Sequence, residues 1–254
     1  MGTKACICLI PLLAWTIIPG STARHREQDD RQVLGLALSP APLVRRRIPL
    51  PQALGEVGSA LRGGYALFGV ELRLRGGRVP TVSLNLQAGS GLGGALRQIL
   101  AQVPGYKFEV VSLHLVNIYP VGAKDDAEDL LNLRVPRFDV AGVRQGFILS
   151  HPLGFIPELK ARIEPISPSL EVGSVLSPSG PTITVHLRNV TVRQILNAVS
   201  EPTESLAASS APLGWISTFS PDPKLPAGGK YSWGALPSTP HDWKKWAEAP
   251  GPRH

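Results

Sequence analysis

The apolar residues between positions 48 and 120 recur first at helical spacing and then in alternation. Leu50 and Leu54 lie on one face of a predicted helix, and Pro51 occupies its first turn, where proline is tolerated. Alternating apolar and polar residues predict strands, the first of them half-buried and ending at the Gly76-Gly77 turn. The pattern predicts, in order, a helix over 50–61, strands over 68–74 and 82–86, a helix over 92–103, and strands over 106–110 and 113–119.

The second half of the chain repeats part of this pattern. Residues 80–86 (PTVSLNL) align with residues 181–187 (PTITVHL), and the helix that follows each segment presents the same apolar face. We therefore predict two copies of one strand-then-helix unit. Around the second copy the pattern predicts a strand over 138–140, a helix over 147–163 broken by Pro152 and Pro157, and a strand over 215–219.

These elements indicate an α+β protein made of two small tandem α/β modules, each with helices on one face of a short mixed sheet. Residues 221–254 are rich in proline and glycine and predict a disordered tail, which includes Trp233. The expected order is a signal peptide over 1–23, a linker over 24–46, the first module over 47–121, a connection over 122–136, a more divergent second module over 137–220, and the tail over 221–254.

The amino terminus has the three parts of a cleavable secretory signal. Lys4 supplies a positive charge, residues 6–19 form an apolar run, and small residues precede the expected cleavage after Ala23. The run is shorter than the roughly 20 residues that span a membrane, which favours cleavage over a membrane anchor. Both cysteines, Cys6 and Cys8, lie inside the signal. We therefore expect a periplasmic or secreted protein without disulfides or a cysteine metal site.

The charge of the chain permits an anionic partner. After residue 23 the sequence has 25 Lys and Arg, all but Lys4 of the total of 26, against 19 Asp and Glu. On the first strand Arg73 and Arg75 lie on the face opposite the leucines and are expected to face solvent. With Arg78 they form the candidate partner-binding surface, and residues 45–47 form a second basic cluster. The acidic residues of 122–134 are expected to be solvated.

A glycine motif invites a dinucleotide-binding interpretation. Gly89 to Gly94 reads G-x-G-x-x-G between a strand and a helix, and Glu109 follows at the spacing of a ribose-binding acid. The strand before it alternates polar and apolar residues, whereas a strand buried between helices is apolar throughout. Glu109 also lies inside a strand. The motif is therefore interpreted as a loop entering a helix, and no cofactor is predicted.

Metal and catalytic sites are not predicted either. The six histidines show no metal-ligand spacing, and His114 and His186 occupy polar positions of alternating strands, where solvated rings are expected. Ser90 lacks the G-x-S-x-G context of an activated serine. A site assembled from distant residues stays open as an alternative, that of an exported enzyme.

The segments VSLNL, ALRQIL, YKFEVV and HLVNIYP lie within residues 48–120, and ITVHL with RNVTVRQILNAV repeats their pattern more weakly over 180–220. In these segments the chain resembles the secretin and TonB short N-terminal domain. The resemblance implies a small periplasmic α/β module that binds other envelope proteins and has no catalytic residues. No barrel or secretin channel follows in this sequence, which departs from the family.

The leading expectation is thus an exported, non-enzymatic protein that binds another envelope protein, by strand addition or through the arginine face. The alternatives are a protein that binds an envelope polymer or ligand, and an exported enzyme. Nucleic acid and a small-molecule substrate are not expected as partners. In the tail, Trp243 and Trp246 with Lys244 and Lys245 offer a membrane-surface contact.

Overall fold

The computed structural model describes residue 28 and residues 30–74, 76–163, 180–201, 213–221 and 229–236. The predicted signal peptide, Arg75, and the tail tryptophans and lysines at 243–246 lie outside the described residues. The strands are β1 (Leu43–Pro49), β2 (Leu67–Arg73), β3 (Thr81–Leu86), β4 (Tyr106–Val110), β5 (Leu115–Pro120), β6 (Arg134–Arg144), β7 (Thr182–Thr191), β8 (Gly214–Pro221) and β9 (Gly229–Leu236). The α-helices are α1 (Leu50–Ser59), α2 (Leu92–Leu100), α3 (Gln145–Ser150), α4 (Pro157–Ile163) and α5 (Val192–Ser200).

A five-stranded mixed sheet with the order β4-β5-β2-β8-β9 forms the centre of the molecule. Strand β2 is parallel to both β5 and β8, while β4 and β9 run antiparallel at the edges. Strands of both predicted modules therefore meet in one sheet. Two antiparallel ribbons, β1–β3 and β6–β7, lie outside this sheet.

The sheet is covered on both faces, which places helices on two sides rather than on the one side that the sequence indicated. Successive side chains of β2 point to opposite faces of the sheet, so this strand lies between the two cores. Phe68, Val70 and Leu72 join a core with α1 and α2. Trp215 and Trp233 of the neighbouring strands join a second core with α3, α4 and α5. Strand β2 is consequently buried rather than half-buried.

The predicted repeat corresponds to β3–α2 and β7–α5, each an extended strand followed by a helix of nine residues. Helix α5 begins with a capping box: the Thr191 hydroxyl accepts from the Gln194 amide at 3.2 Å, and the Gln194 side chain accepts from the Thr191 amide at 2.7 Å. Helix α2 begins at Gly91, and its Leu92 amide donates to the Leu36 carbonyl at 2.9 Å. The glycine motif is therefore a loop and a helix start covered by residues 34–38.

Two boundaries predicted from the sequence are wrong. The expected linker contributes to the core, since Val33 and Leu38 are buried and β1 begins at Leu43. The expected disordered tail contains β9, in which Trp233 is 5% exposed. Alternate residues of β9 face the second core, but the glycines and serine between them hid this alternation in the sequence.

Candidate functional site

A cavity of about 420 Å³ opens at the carboxyl ends of β2 and β8. It lies on the face of the sheet that carries the second core. Residues from β2, the 126–131 segment, α4, β8 and β9 line it, among them Glu71, Arg73, Asp129, Ser217 and Tyr231. The carboxyl ends of parallel strands are a common position for binding sites, because the connections diverge there and leave a crevice.

A network of ion pairs forms one wall of this cavity. The Arg193 guanidinium of α5 donates to the Glu71 carboxylate at 2.8 Å and to the Asp129 carboxylate at 3.4 Å. The Arg73 guanidinium reaches the Asp129 and Asp126 carboxylates, each at 3.1 Å. The side chains of Arg193, Glu71 and Asp129 are only 6 to 7% exposed, so these charges interact in a low-dielectric environment.

The environment raises the pKa of Glu71 to about 7. Burial is the largest cause, followed by the neighbouring negative charge of Asp129, and together they outweigh the opposite effect of Arg193. Burial likewise raises the pKa of the half-buried Tyr231 phenol. The cavity therefore contains a carboxyl group that exchanges a proton near neutral pH, a property often found at functional sites.

Local structure positions each member of the network. Glu71 and Arg73 alternate with the apolar residues of β2 and so point to the same face. Asp129 begins a short 3₁₀ turn over Leu130–Asn132, where its side chain accepts from the Leu131 amide at 2.8 Å. Arg193 lies in the first turn of α5, on the side that packs against the sheet.

The structure describes two of the three arginines of the predicted partner surface, Arg73 and Arg78. Arg73 is not a free, solvent-facing side chain, because its guanidinium pairs with Asp126 and Asp129 and its side chain is 39% exposed. Arg78 is exposed, at the turn between β2 and β3. Arg75 lies outside the described residues. The expectation that Arg73 simply faces solvent is wrong, since the sheet continues beside β2 and acids of the connection pair with its guanidinium, whereas partner binding by these arginines stays a prediction.

The acidic connection also differs from its expected solvated state. Asp129 is buried, and Asp126 binds Arg73. The Glu128 backbone amide, which donates to the Asp126 carboxylate, lowers the pKa of Asp126, and the Arg73 guanidinium lowers it further. The site was not predicted from the sequence, because Arg193 lies far along the chain from the acidic segment and no local pattern brings them together. The available signal was Glu71, a lone acid in an otherwise apolar central strand.

The histidines form no metal centre with one another or with acids: within the described ranges no group of three or more His, Cys, Asp or Glu is arranged to hold a metal ion. His114 stacks on Tyr65 with ring centroids 4.6 Å apart, so it is not simply solvated. His186 is 65% exposed and hydrogen-bonds to Asp139 at 3.0 Å.

The outer face of the β6–β7 ribbon is a second candidate site. Arg137 is directly opposite Arg188, and Asp139 is opposite His186. The Asp139 carboxylate contacts Arg137, Arg188 and His186, and the two guanidinium groups and then the imidazole lower its pKa. Arg137 and Arg188 are 70% and 55% exposed, so both present further N–H donors to solvent.

Positive charge is concentrated on the two ribbons. Strand β1 carries three arginines with no acid on β1 or β3, and the β6–β7 ribbon carries four arginines and one aspartate. Seven arginines and one aspartate give the ribbons a net charge of +6, against a formal net charge of +7 for the whole chain. The rest of the sequence is therefore almost balanced, as the paired network around Arg73 and Arg193 illustrates.

The fold class is α+β, as the sequence indicated. Comparison with protein-family models, with curated proteins and with solved structures gave no match to this chain. In the part of the chain that the structure describes, no helix has both the length and the apolar character needed to cross a membrane.

Proposed function

We propose that this protein is an exported, non-enzymatic binding protein of the cell envelope, similar in role to the secretin and TonB short N-terminal domain. Its partner is another envelope protein with an acidic surface segment. The export signal and the family resemblance support the location. The concentration of net positive charge on two exposed ribbons carries the assignment of an acidic partner.

The β6–β7 ribbon supports strand addition as the mode of binding. Its strands have 11 and 10 residues, and among the described residues they pair only with each other. The outward backbone groups of such strands can pair with an extended segment of a partner. Arg137 on β6 and Arg188 on β7 place a guanidinium on each of the two edge strands, and these charges favour a segment that contains Asp or Glu.

The experiment uses the full chain as bait in an envelope fraction, and then tests the recovered protein in purified form. We expect binding that weakens by about tenfold in Arg188→Glu and in Arg137→Glu, because each replaces an attractive charge by a repulsive one. Binding is also expected to weaken as salt rises, since the charges are exposed. Arg62→Glu is the matched control: it makes the same charge change at an exposed position outside both ribbons and outside the predicted arginine surface.

Three results would count against this proposal. Equal losses in Arg62→Glu and Arg188→Glu would show a general effect of charge. Saturable binding of isolated cell-wall polymer, with no protein recovered, would favour the polymer-binding alternative. Turnover of a substrate that disappears on changing a single His or Asp would indicate the exported enzyme.

A further inference from the structure

The cavity at the carboxyl ends of β2 and β8 has an excess of negative groups. Three carboxylates, those of Glu71, Asp126 and Asp129, contact only two guanidinium groups, those of Arg73 and Arg193. The remaining charged pair of the lining, Glu128 with Arg162 at 2.7 Å, is exposed and balances itself. With every carboxylate ionised, the network lacks one positive charge.

The cavity wall also carries a hydroxyl without a protein partner. Ser217 is 5% exposed and lines the cavity, and no hydrogen bond joins its hydroxyl to any residue that the structure describes. The hydroxyl is accessible from the cavity, so a bound ligand can hydrogen-bond to it. Ser217 is on β8, directly beside Glu71 in the parallel ladder. A polar group that faces the cavity without a partner points to a ligand rather than to a purely structural ion network.

Aromatic rings of β8 and β9 line the cavity beside Arg73. Phe219 and Tyr231 pack with ring centroids 4.7 Å apart, and both line the cavity. Faces of aromatic rings attract cations and stack against flat groups. The volume of about 420 Å³ is within the range of small-molecule sites.

We propose that this cavity binds a ligand with one cationic group, an ammonium or a guanidinium, attached to an apolar or aromatic body. The cation supplies the missing charge beside Glu71 and Asp129 and donates to the Ser217 hydroxyl, while the body packs on Tyr231 and Phe219. The same chemistry is available in a small amine and in a Lys or Arg side chain. This proposal goes beyond the protein partner proposed above and does not depend on it.

Binding of such a cation is linked to a proton on Glu71. The charged groups around this carboxyl are Arg73 on the same strand, Arg193 on α5, Asp129 and Asp126 on the connection, and the Tyr231 phenol on β9. Because the pKa of Glu71 is about 7 without ligand, the carboxyl is mostly protonated at pH 6 and mostly ionised at pH 8. A ligand that requires the ionised form therefore binds about tenfold more tightly at pH 8 than at pH 6.

The test is calorimetric titration of the full chain with phenethylamine, a monocation with an aromatic ring. 2-Phenylethanol is the neutral control and 3-phenylpropionate the anionic control. N-acetyl-arginine amide and N-acetyl-lysine amide represent a partner's side chain, so tighter binding of these than of phenethylamine assigns the site to a protein ligand. We expect saturable binding of at least one cation, proton release on binding near pH 7, and the tenfold gain between pH 6 and pH 8.

Variants locate the binding. Glu71→Gln is expected to weaken cation binding at pH 8 by about tenfold or more and to remove its pH dependence. Ser217→Ala, which changes one hydroxyl, is expected to weaken binding several-fold and to retain the pH dependence. Asp125→Asn is the matched control: it removes an exposed charge from the same connection outside the cavity lining and leaves binding unchanged.

Several outcomes would overturn the proposal. These are no binding of any cation at millimolar concentration, equal binding of the alcohol and the amine, and equal losses in Glu71→Gln and Asp125→Asn. An unchanged affinity in Ser217→Ala together with a pH-independent affinity in the wild type would do the same. None of these results bears on the ribbon variants, so the two proposals fail separately.

Discussion

Replacing Glu71 by glutamine tests whether its buried charge destabilises the folded protein. The amide has the shape of the protonated carboxyl and can still accept a hydrogen bond from Arg193, which lies 2.8 Å from the carboxylate. The substitution removes the charge that burial and Asp129 disfavour. It therefore separates the cost of ionisation from the packing of the side chain.

The magnitude follows from the pKa of Glu71, which is raised from 4.5 to about 7 on folding. Between these values the folded state binds more protons than the unfolded state, so the stability contributed by this group falls as pH rises and levels off above pH 7. Over the interval from about pH 5 to about pH 8 the loss is about 2.5 kcal/mol. The glutamine variant lacks this loss, so its stability relative to the wild type should increase by about 2.5 kcal/mol over the same interval.

The free energy of unfolding of both proteins is measured at several pH values by urea unfolding, monitored by circular dichroism and extrapolated linearly to zero urea. Other titrating groups, such as Asp126, are common to both and cancel in the difference. Asp125→Asn should instead remain parallel to the wild type. A glutamine variant that loses stability in parallel with the wild type would refute the reasoning. So would a variant several kcal/mol less stable at pH 8, because the ionised pair with Arg193 would then be favourable.

Three substitutions test the packing. Trp233→Ala should lower the free energy of unfolding by about 3–5 kcal/mol, because this side chain is 5% exposed in the second core, and a fully exposed tail residue would show no loss in a thermal melt. Gly69→Ala should lower the free energy of unfolding by about 1–3 kcal/mol or more, because an added Cβ would overlap Asn117 and Trp215. A free energy of unfolding equal to that of the wild type would contradict the β2–β8 contact. Thr191→Ala should lower the free energy of unfolding by about 1 kcal/mol, because it removes the oxygen that caps α5. Thr191→Ser is the control that keeps this oxygen.

The elements that sequence reasoning located best are those in which local signals agree. In residues 181–200 alternation, the capping residues Thr191 and Gln194, and helical periodicity all favour a strand followed by a helix. In β3 and α2 alternation and helical periodicity also agree, although Gly91 provides no side-chain cap. The broken helix over 147–163 was also located, because Pro152 and Pro157 divide it into α3, a short 3₁₀ turn and α4.

Long-range pairing is what local patterns could not predict. The parallel contact of β2 with β8 joins residues about 150 positions apart, such as Gly69 with Trp215. No local signal specifies that neighbour, and without it Arg73 is expected to face solvent. Strand β9 was missed for a related reason: its glycines read as a loop until a partner strand is present. The candidate cavity depends on both pairings, so it was missed with them.

The distribution of charge gives the two groups of arginines different roles. Arg73 and Arg193 lie where the fold would otherwise bury uncompensated carboxylates, and each is held by acids of this chain. Arg45, Arg137 and Arg188 are on exposed ribbons, where one aspartate on β6 and Glu56 beside Arg45 are the acids that contact them. A cluster of exposed positive charge gains little from pairing within the ribbon, because water already solvates it. Its largest remaining gain is association with an external anionic surface, whereas the network at the cavity gains from an external cation.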